Sequence, residues 1–238
     1  MRTISIISLV IFLLASPFLY FGFGGTLWSL LWSIDPFDSS WSAFGIGCLV
    51  FIPSYFLAKR FLNTPWEYFA TFEHEIAHML VGFLFLKVPV SFKVTAHKGG
   101  EIQQIGFGNT GETWITLAPY FLPTLPLVLI GISFLVEIDD FYFFATLGWL
   151  TLFHIVTNWS ESSFRQPDLQ KAGIAKTIMI VPLMNLVLKG SILAFVGGGT
   201  EGFLTFLRSG GMDSWEFARL TAAFAHETVT AFAASNGW

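Results

Sequence analysis

Long stretches without a charged residue constrain the fold more than any other feature of the sequence. A helix needs roughly 20 apolar residues to cross the hydrocarbon core of a bilayer. The runs that qualify are Ile4–Phe23, Trp41–Ala58, Thr113–Val136, Phe141–Ser160 and Thr177–Val196, the last of which carries one lysine near its end. Short links between these runs leave no room for a separate soluble domain. The sequence therefore predicts one membrane domain with several spans.

The charge balance supports the same conclusion. Charged residues make up 12% of the chain, against about 25% in soluble domains. The net charge is -4 and no basic patch is interleaved with aromatic residues, so nucleic acid is not an expected partner. Cys48 is the single cysteine, which excludes a disulfide framework and a cysteine zinc site. The lipid bilayer is the expected environment, and a multi-pass protein of the plasma or inner membrane is predicted.

The first apolar run is interpreted as a retained membrane helix. Signal-peptide cores are shorter, about 7–15 residues, and end at a cleavage site of small residues. Ala15-Ser16-Pro17 matches such a site poorly, and the apolar run continues beyond it. Ile4–Phe23 is therefore expected to span the membrane.

A further stretch, Pro65–Leu86, has the length of a span but contains His74-Glu75-Ile76-Ala77-His78. Asn63 or Thr64 can cap a helix here, with Pro65 in its first turn. Residues four apart share one helix face, so the two histidines can bind one zinc ion. The intervening glutamate can reach a water molecule at that ion. Zinc activates such a water, and Glu75 is the expected general base.

A chance occurrence of this pattern is disfavoured by its surroundings. Ionisable residues in the middle of a membrane helix cost about 2.5–3.5 kcal/mol each on insertion scales. Glu73, His74, Glu75 and His78 stand together in an otherwise apolar stretch. Metal binding offsets that cost, whereas core packing does not. Glu73 and Glu67 are expected either to orient a histidine or to face water.

A catalytic zinc site has three protein ligands, and the residues leave the third open. Asp168 is the first candidate, although an aspartate at the start of a helical run is also a common N-cap. His154 is the alternative, because it is ionisable and lies inside a spanning run; a hydrogen bond to another helix would also explain it. The lesser candidates are Glu161, His226 and His97.

Two segments outside the spans have their own signatures. Lys87–Glu112 alternates apolar and polar residues on either side of Lys98-Gly99-Gly100, which predicts a β-hairpin. Ser214–Ser235 can begin at Ser214 as N-cap and form an amphipathic helix at the membrane interface.

The predicted fold is an all-α membrane protein with about six transmembrane helices. A short β-hairpin follows the metal-binding helix, and an amphipathic helix lies at the C-terminus. The expected organisation is two N-terminal helices in residues 1–60, a metalloprotease core in residues 61–197 and an interfacial segment in residues 198–238.

The sequence resembles the site-2 protease family of intramembrane zinc metalloproteases. The resemblance covers about residues 65–185, through Phe72-Glu73-His74-Glu75-Ile76-Ala77-His78, Gly82, the hairpin with Gly99-Gly100, and the segment Leu117-Ala118-Pro119-Tyr120-Phe121-Leu122-Pro123. It implies that His74, His78 and Asp168 hold zinc and that Glu75 is the base. It also implies cleavage of peptide bonds in membrane-spanning substrates, within or near the bilayer.

The chain departs from the family pattern in two respects. The usual Asn-Pro-Asp-Gly or Leu-Asp-Gly motif is replaced by Gln166-Pro167-Asp168-Leu169. This departure affects the assignment of Asp168 as a ligand more than that of the histidines. No peptide-binding module is inserted after the motif helix, so regulation of that kind would need a membrane partner protein. The hairpin is a candidate substrate clamp, since a strand edge can hold an extended peptide; an ordinary connecting hairpin is the alternative. Asn158 and Asn109 are candidates for contacting the oxyanion or the substrate.

Two other functions are compatible with the sequence. A catalytically inactive, protease-like membrane protein could serve as a binding or assembly subunit, although such a protein has no need of Glu75. A transporter could use His74, His78 and Asp168 as a transient metal path, but no inverted repeat is evident.

Overall fold

The computed structural model describes residues 2–95, 99–106, 111–161 and 166–235. The helices in these ranges are α1 (Arg2–Trp32), α2 (Ser39–Phe61), α3 (Asn63–Leu84), α4 (Glu112–Leu117), α5 (Thr124–Ser133), α6 (Asp140–Glu161), α7 (Pro167–Ala172) and α8 (Ile174–Ser235). Strands β1 (Val88–Thr95) and β2 (Gly99–Ile105) form an antiparallel hairpin, and a 3-10 turn, Ala118–Tyr120, follows α4. A mostly helical protein with one hairpin was predicted, and this is confirmed. The predicted contacts of Asn109 and His97 lie outside the described residues.

Four of the described helices are long and apolar enough to cross a membrane. They are Ile11–Trp32, Ser39–Phe61, Asp140–Ser160 and the helix that begins at Ile174. A membrane protein was predicted, and these helices support that conclusion. Five spans result if α4, the 3-10 turn and α5 count as one; the predicted count of six is not confirmed.

The predicted span Thr113–Val136 is not one continuous helix. Two helical pieces, Glu112–Tyr120 and Thr124–Ser133, meet there at an angle of 88°. Pro123 occupies the N-cap position of α5. Because proline has no backbone N–H and disfavours the α conformation in the residue before it, a helix does not continue through this point. The bend allows α4 to lie beside α3 and contribute to the site described below.

By contacts within the chain there are two compact units, Met1–Ile34 with Leu193–Trp238, and Asp35–Ile192. In the first, α1 packs against the C-terminal part of α8. Thr26 Oγ1 donates a hydrogen bond to Asp213 Oδ2 (2.9 Å), and the rings of Phe23 and Phe206 lie 5.8 Å apart. Glycines 198 and 199 have non-helical dihedral angles and break α8 there.

The predicted start of a separate C-terminal helix at Ser214 is wrong. Ser214 lies inside α8, and its hydroxyl donates a hydrogen bond to the Gly210 carbonyl one turn earlier. Serine can satisfy its hydroxyl in this way within a helix. The same chemistry that makes serine a good cap therefore accounts for its place in the interior.

The second unit contains the motif helix. Helices α2 and α6 pack closely because Gly47 lies against the Ala145 backbone and Gly148 against the Phe44 backbone. Small residues allow two membrane helices to approach in this way. Beside this contact, an aromatic core of Phe51, Trp66 and Phe153 joins α2, α3 and α6. The motif helix is thereby fixed on its apolar side, which leaves its polar face for the site.

Candidate metal centre and active site

The two histidines of the motif lie on one face of α3 and point toward Asp168. Asp168 Oδ2 is 3.4 Å from His74 Nε2 and 3.4 Å from His78 Nε2. All three ligand atoms lie within 4.8 Å of one another. The spacing of one helical turn predicted the convergence of the histidines, and of the two leading third-ligand candidates the structure brings Asp168 to them.

These distances fit a tetrahedral metal site. Zinc bonds to nitrogen or oxygen ligands are about 2.0–2.2 Å long, which separates two tetrahedral ligand atoms by about 3.4 Å. The described residues could therefore hold a metal ion.

Helix α7 presents Asp168 through features of its own sequence. Gln166 has an extended backbone as the N-cap residue, and Pro167 begins the helix. Gly173 ends it with a φ of 91°, a left-handed value that favours glycine. Leu169 is buried and anchors the helix, so Asp168 is held in the first turn. The structural alternative for Asp168 was a helix N-cap. In the structure the N-cap of α7 is Gln166.

Asp168 is held in its ionised form by its surroundings. Burial by itself raises the pKa of the Asp168 carboxyl, but hydrogen bonds from His74 and His78, together with their charge, outweigh it. The net effect is to hold the pKa of Asp168 well below its usual range. A carboxylate is the form that binds a metal ion.

The ring of His78 is oriented by α4. His78 Nδ1 lies 2.6 Å from the Ile115 carbonyl oxygen, so Nδ1 carries a proton and Nε2 is the ring nitrogen on the side of Asp168. Metal-binding histidines commonly make such a bond with the second ring nitrogen, and it fixes both tautomer and orientation. This contact could not be predicted from the sequence, because it comes from the backbone of a residue 37 positions away.

Strand β2 lies along the other wall of the site. Gln104 Nε2 donates a hydrogen bond to the His78 carbonyl (3.0 Å), which attaches the strand to the motif helix. On β1, Phe92 packs edge-to-face on Phe72 of α3 at 6.0 Å. The predicted hairpin is confirmed, and Thr95 pairs with Gly99 at its closed end.

Glu75 is buried, 5% exposed, and lies beside Gly100 of β2. A β-carbon on residue 100 would come within 2.6 Å of the Glu75 carboxyl carbon. The sequence indicated Gly99-Gly100 as turn residues, but both lie in β2. The second glycine instead makes space for the candidate base. Glu75, both histidines and Asp168 line one cleft of about 660 Å³.

Replacing Gly100 with alanine is expected to displace the Glu75 carboxylate and to lower the rate of any hydrolysis at this site. A displacement of about 1 Å in a catalytic group can cost on the order of 10²-fold. Metal content should remain, because the atoms nearest to an added β-carbon belong to Glu75 and not to a candidate ligand. Gln103→Ala, at an exposed position of the same strand, is the control and should have normal kcat. Normal activity of Gly100→Ala would contradict this placement of the base.

The alternative ligand His154 has a different partner. It is 2% exposed, and its Nδ1 lies 3.0 Å from Glu73 Oε1. Glu73 is the neighbour of His74 in sequence, but it faces α6 and is itself buried. This buried pair joins α3 to α6 and takes His154 away from the metal centre. The sequence identified both residues as unusual but not their pairing, since they are 81 positions apart.

Glu73→Ala should destabilise the protein without emptying the metal site. It leaves the His154 ring buried without its carboxylate, at a cost of about 1–3 kcal/mol. Glu67→Ala changes a partly exposed residue of the same helix and should cost no more than about 0.5 kcal/mol. Thermal unfolding in detergent measures both. Equal stability of the two variants would show that the pair contributes nothing.

Among the described residues, the remaining predicted ones do not line this cleft. Asn158 Nδ2 donates a hydrogen bond to the Pro119 carbonyl (3.3 Å), and Asn158 is not among the described residues that line the cleft. Its amide thus holds the 3-10 turn in place. His226 is exposed in α8, and the side chain of Glu161 is outside the described structure.

Comparison of the chain with protein-family models, with curated proteins and with solved structures found no match.

Proposed function

We propose that this protein is a zinc metalloendopeptidase of the membrane, similar to the site-2 proteases. The observation that carries the proposal is the convergence of His74, His78 and Asp168 in the cleft that also contains Glu75. Two imidazoles and a carboxylate are a common zinc set that leaves a fourth position open. A pure binding protein would have no use for a buried glutamate beside them.

His74, His78 and Asp168 would hold the ion, while Glu75 transfers protons and the Ile115 carbonyl orients a ligand. Bound zinc supplies a Lewis acid that polarises the peptide carbonyl and activates water. Glu75 accepts a proton from the water whose oxygen bonds to the carbonyl carbon. As the carbon–nitrogen bond breaks, Glu75 delivers that proton to the leaving nitrogen. The Ile115 carbonyl keeps His78 in the tautomer that this arrangement needs.

Strand β2 is the proposed clamp for substrate. Its residues 99–102 and Gln104 line the cleft, and among the described strands it pairs only with β1. Its second edge can therefore accept an extended peptide through main-chain hydrogen bonds. A helical substrate must unwind before cleavage because its backbone groups are already bonded to one another.

In the membrane, we propose that α3 and the bent α4–α5 pair accompany the four long apolar helices, which gives six spanning elements. The substrates are then proteins anchored in the same bilayer, and a membrane partner would supply regulation. The expected location is the plasma or inner membrane.

Cleavage of a membrane-anchored protein by the purified, zinc-loaded protein in lipid vesicles tests the proposal. Products identified by mass spectrometry should appear with the wild type and be absent with the double variant His74→Ala/His78→Ala. Equal product from both proteins would mean that the motif does not carry the activity.

A further inference from the structure

The cleft beside the histidines is walled largely by charged and amide side chains. Besides the candidate catalytic residues, its lining includes Lys87, Glu101, Gln104, Glu112, Gln166 and Lys171, and its apolar side chains are Ile102, Ile115 and Pro167. Lys171 Nζ and Glu112 Oε1 form an ion pair of 3.0 Å between α7 and α4, and both side chains are about half exposed. Exposed charges of this kind are hydrated. The wall is therefore a polar, wetted surface.

The elements that line the cleft are distinct from the four long apolar helices. Its described lining comes from α3, the hairpin, α4 and α7, with Lys87 at the start of the hairpin. None of these lining residues belongs to the four long apolar helices. An intramembrane site that received apolar helices from lipid would be expected to have apolar walls on its entry side.

The polarity of the cleft lining determines which peptides bind more tightly. An apolar side chain entering the cleft displaces water from Lys87 or Glu101 and returns no hydrogen bond. Burying polar groups without partners costs free energy. A polar side chain replaces the lost water contacts, and the backbone of an extended segment can bond to β2.

We propose that the segment cleaved is a polar, extended stretch presented from the aqueous side, in place of the apolar centre of a membrane helix. The inference rests on the proposed peptidase function and names its substrate class. A cleft of about 660 Å³ lies within the range of about 300–1,000 Å³ that holds drug-sized ligands, so it fits a short segment. The polar flank of a membrane-anchored protein and a soluble chain share this chemistry.

Two pools of random peptides test the inference. In one pool the central residues are drawn from Ser, Thr, Gln, Asn, Lys and Glu, and in the other from Leu, Ile, Val and Phe. Each pool is supplied free and tethered to one membrane helix in vesicles. Competition binding to the Glu75→Gln protein loaded with zinc, and cleavage by the wild type, are both measured.

The polar pool should bind and be cleaved at least about tenfold better than the apolar pool. Comparison of the tethered and free forms then shows whether the substrate is a membrane-anchored protein or a soluble chain. Preference for the apolar pool in either measurement would overturn the inference. Polar preference in binding, with no cleavage of any pool, would support the inference and contradict the peptidase function alone.

A substitution in the cleft lining provides a second test of the inference. Glu101→Leu replaces an exposed residue of β2 that lines the cleft, and it should narrow the preference for the polar pool in both measurements. Glu137→Leu, exposed and outside the lining, is the matched control and should keep the wild-type preference. Equal behaviour of the two variants would show that the wall does not select the segment.

Discussion

Replacing Glu75 with glutamine is expected to lower kcat for peptide hydrolysis on the order of 10³-fold. Glutamine keeps the size of the side chain but cannot accept the proton from water. The zinc content should equal that of the wild type, because His74, His78 and Asp168 are unchanged. The measurement pairs initial rates of cleavage with metal analysis of the same sample.

The matched control for this variant is Glu67→Gln. It makes the same chemical change on the same helix, at a partly exposed residue outside the cleft lining, and should leave kcat within about twofold, as expected of a surface change. Unchanged turnover of Glu75→Gln would contradict the proposed role of Glu75 as the general base. An equal loss in both variants would attribute the effect to the helix and not to the base.

Replacing Asp168 with alanine is expected to weaken zinc binding by more than about 100-fold, because even outer partners of metal ligands contribute 10- to 100-fold. Activity should be lost together with the metal. Asp168→Glu keeps the carboxylate on a longer side chain and should recover part of the affinity. Metal affinity is measured by competition with a chelator of known zinc affinity.

His154 provides the decisive comparison for this prediction. His154→Gln removes the imidazole but keeps an N–H that can reach Glu73, so the buried pair is partly preserved and zinc should be retained. The variant His154→Ala should also keep zinc while losing stability. Loss of zinc from both His154 variants, with retention in Asp168→Ala, would reverse the assignment of the third ligand.

The parts of the site that were predictable lie on one regular element or follow from a strong local pattern. His74 and His78 are four residues apart on one helix, so helical geometry alone places them together. The hairpin follows from alternation around Gly99-Gly100. In both cases the relevant interactions are between residues close in sequence.

The parts that could not be predicted depend on contacts between distant segments. The residues alone left the choice between Asp168 and His154 as third ligand open, since each is ionisable and near an apolar run. Packing of α6 against α3 brings His154 into contact with Glu73. The Ile115 carbonyl that bonds His78 is a backbone group, which every residue has. Only the path of the chain selects it.

The errors in the fold have a local cause in each case. Hydropathy over Thr113–Val136 predicts a span but not its bend, because an average over the window does not register Pro123. Ser214 was expected to begin a helix, but a serine hydroxyl can bond one turn back inside a helix, as it does to Gly210. Apolar composition therefore identifies membrane segments better than it defines their ends.

Removal and return of zinc tests the central claim most directly. Wild-type protein treated with a strong chelator should lose peptide cleavage, and one equivalent of zinc should restore it, as expected for a single three-ligand site. The restored protein should bind zinc at a ratio of about one per chain, while the His74→Ala/His78→Ala protein should bind none and stay inactive. Full cleavage by the metal-free wild type, or a restored protein that holds no metal, would contradict the account.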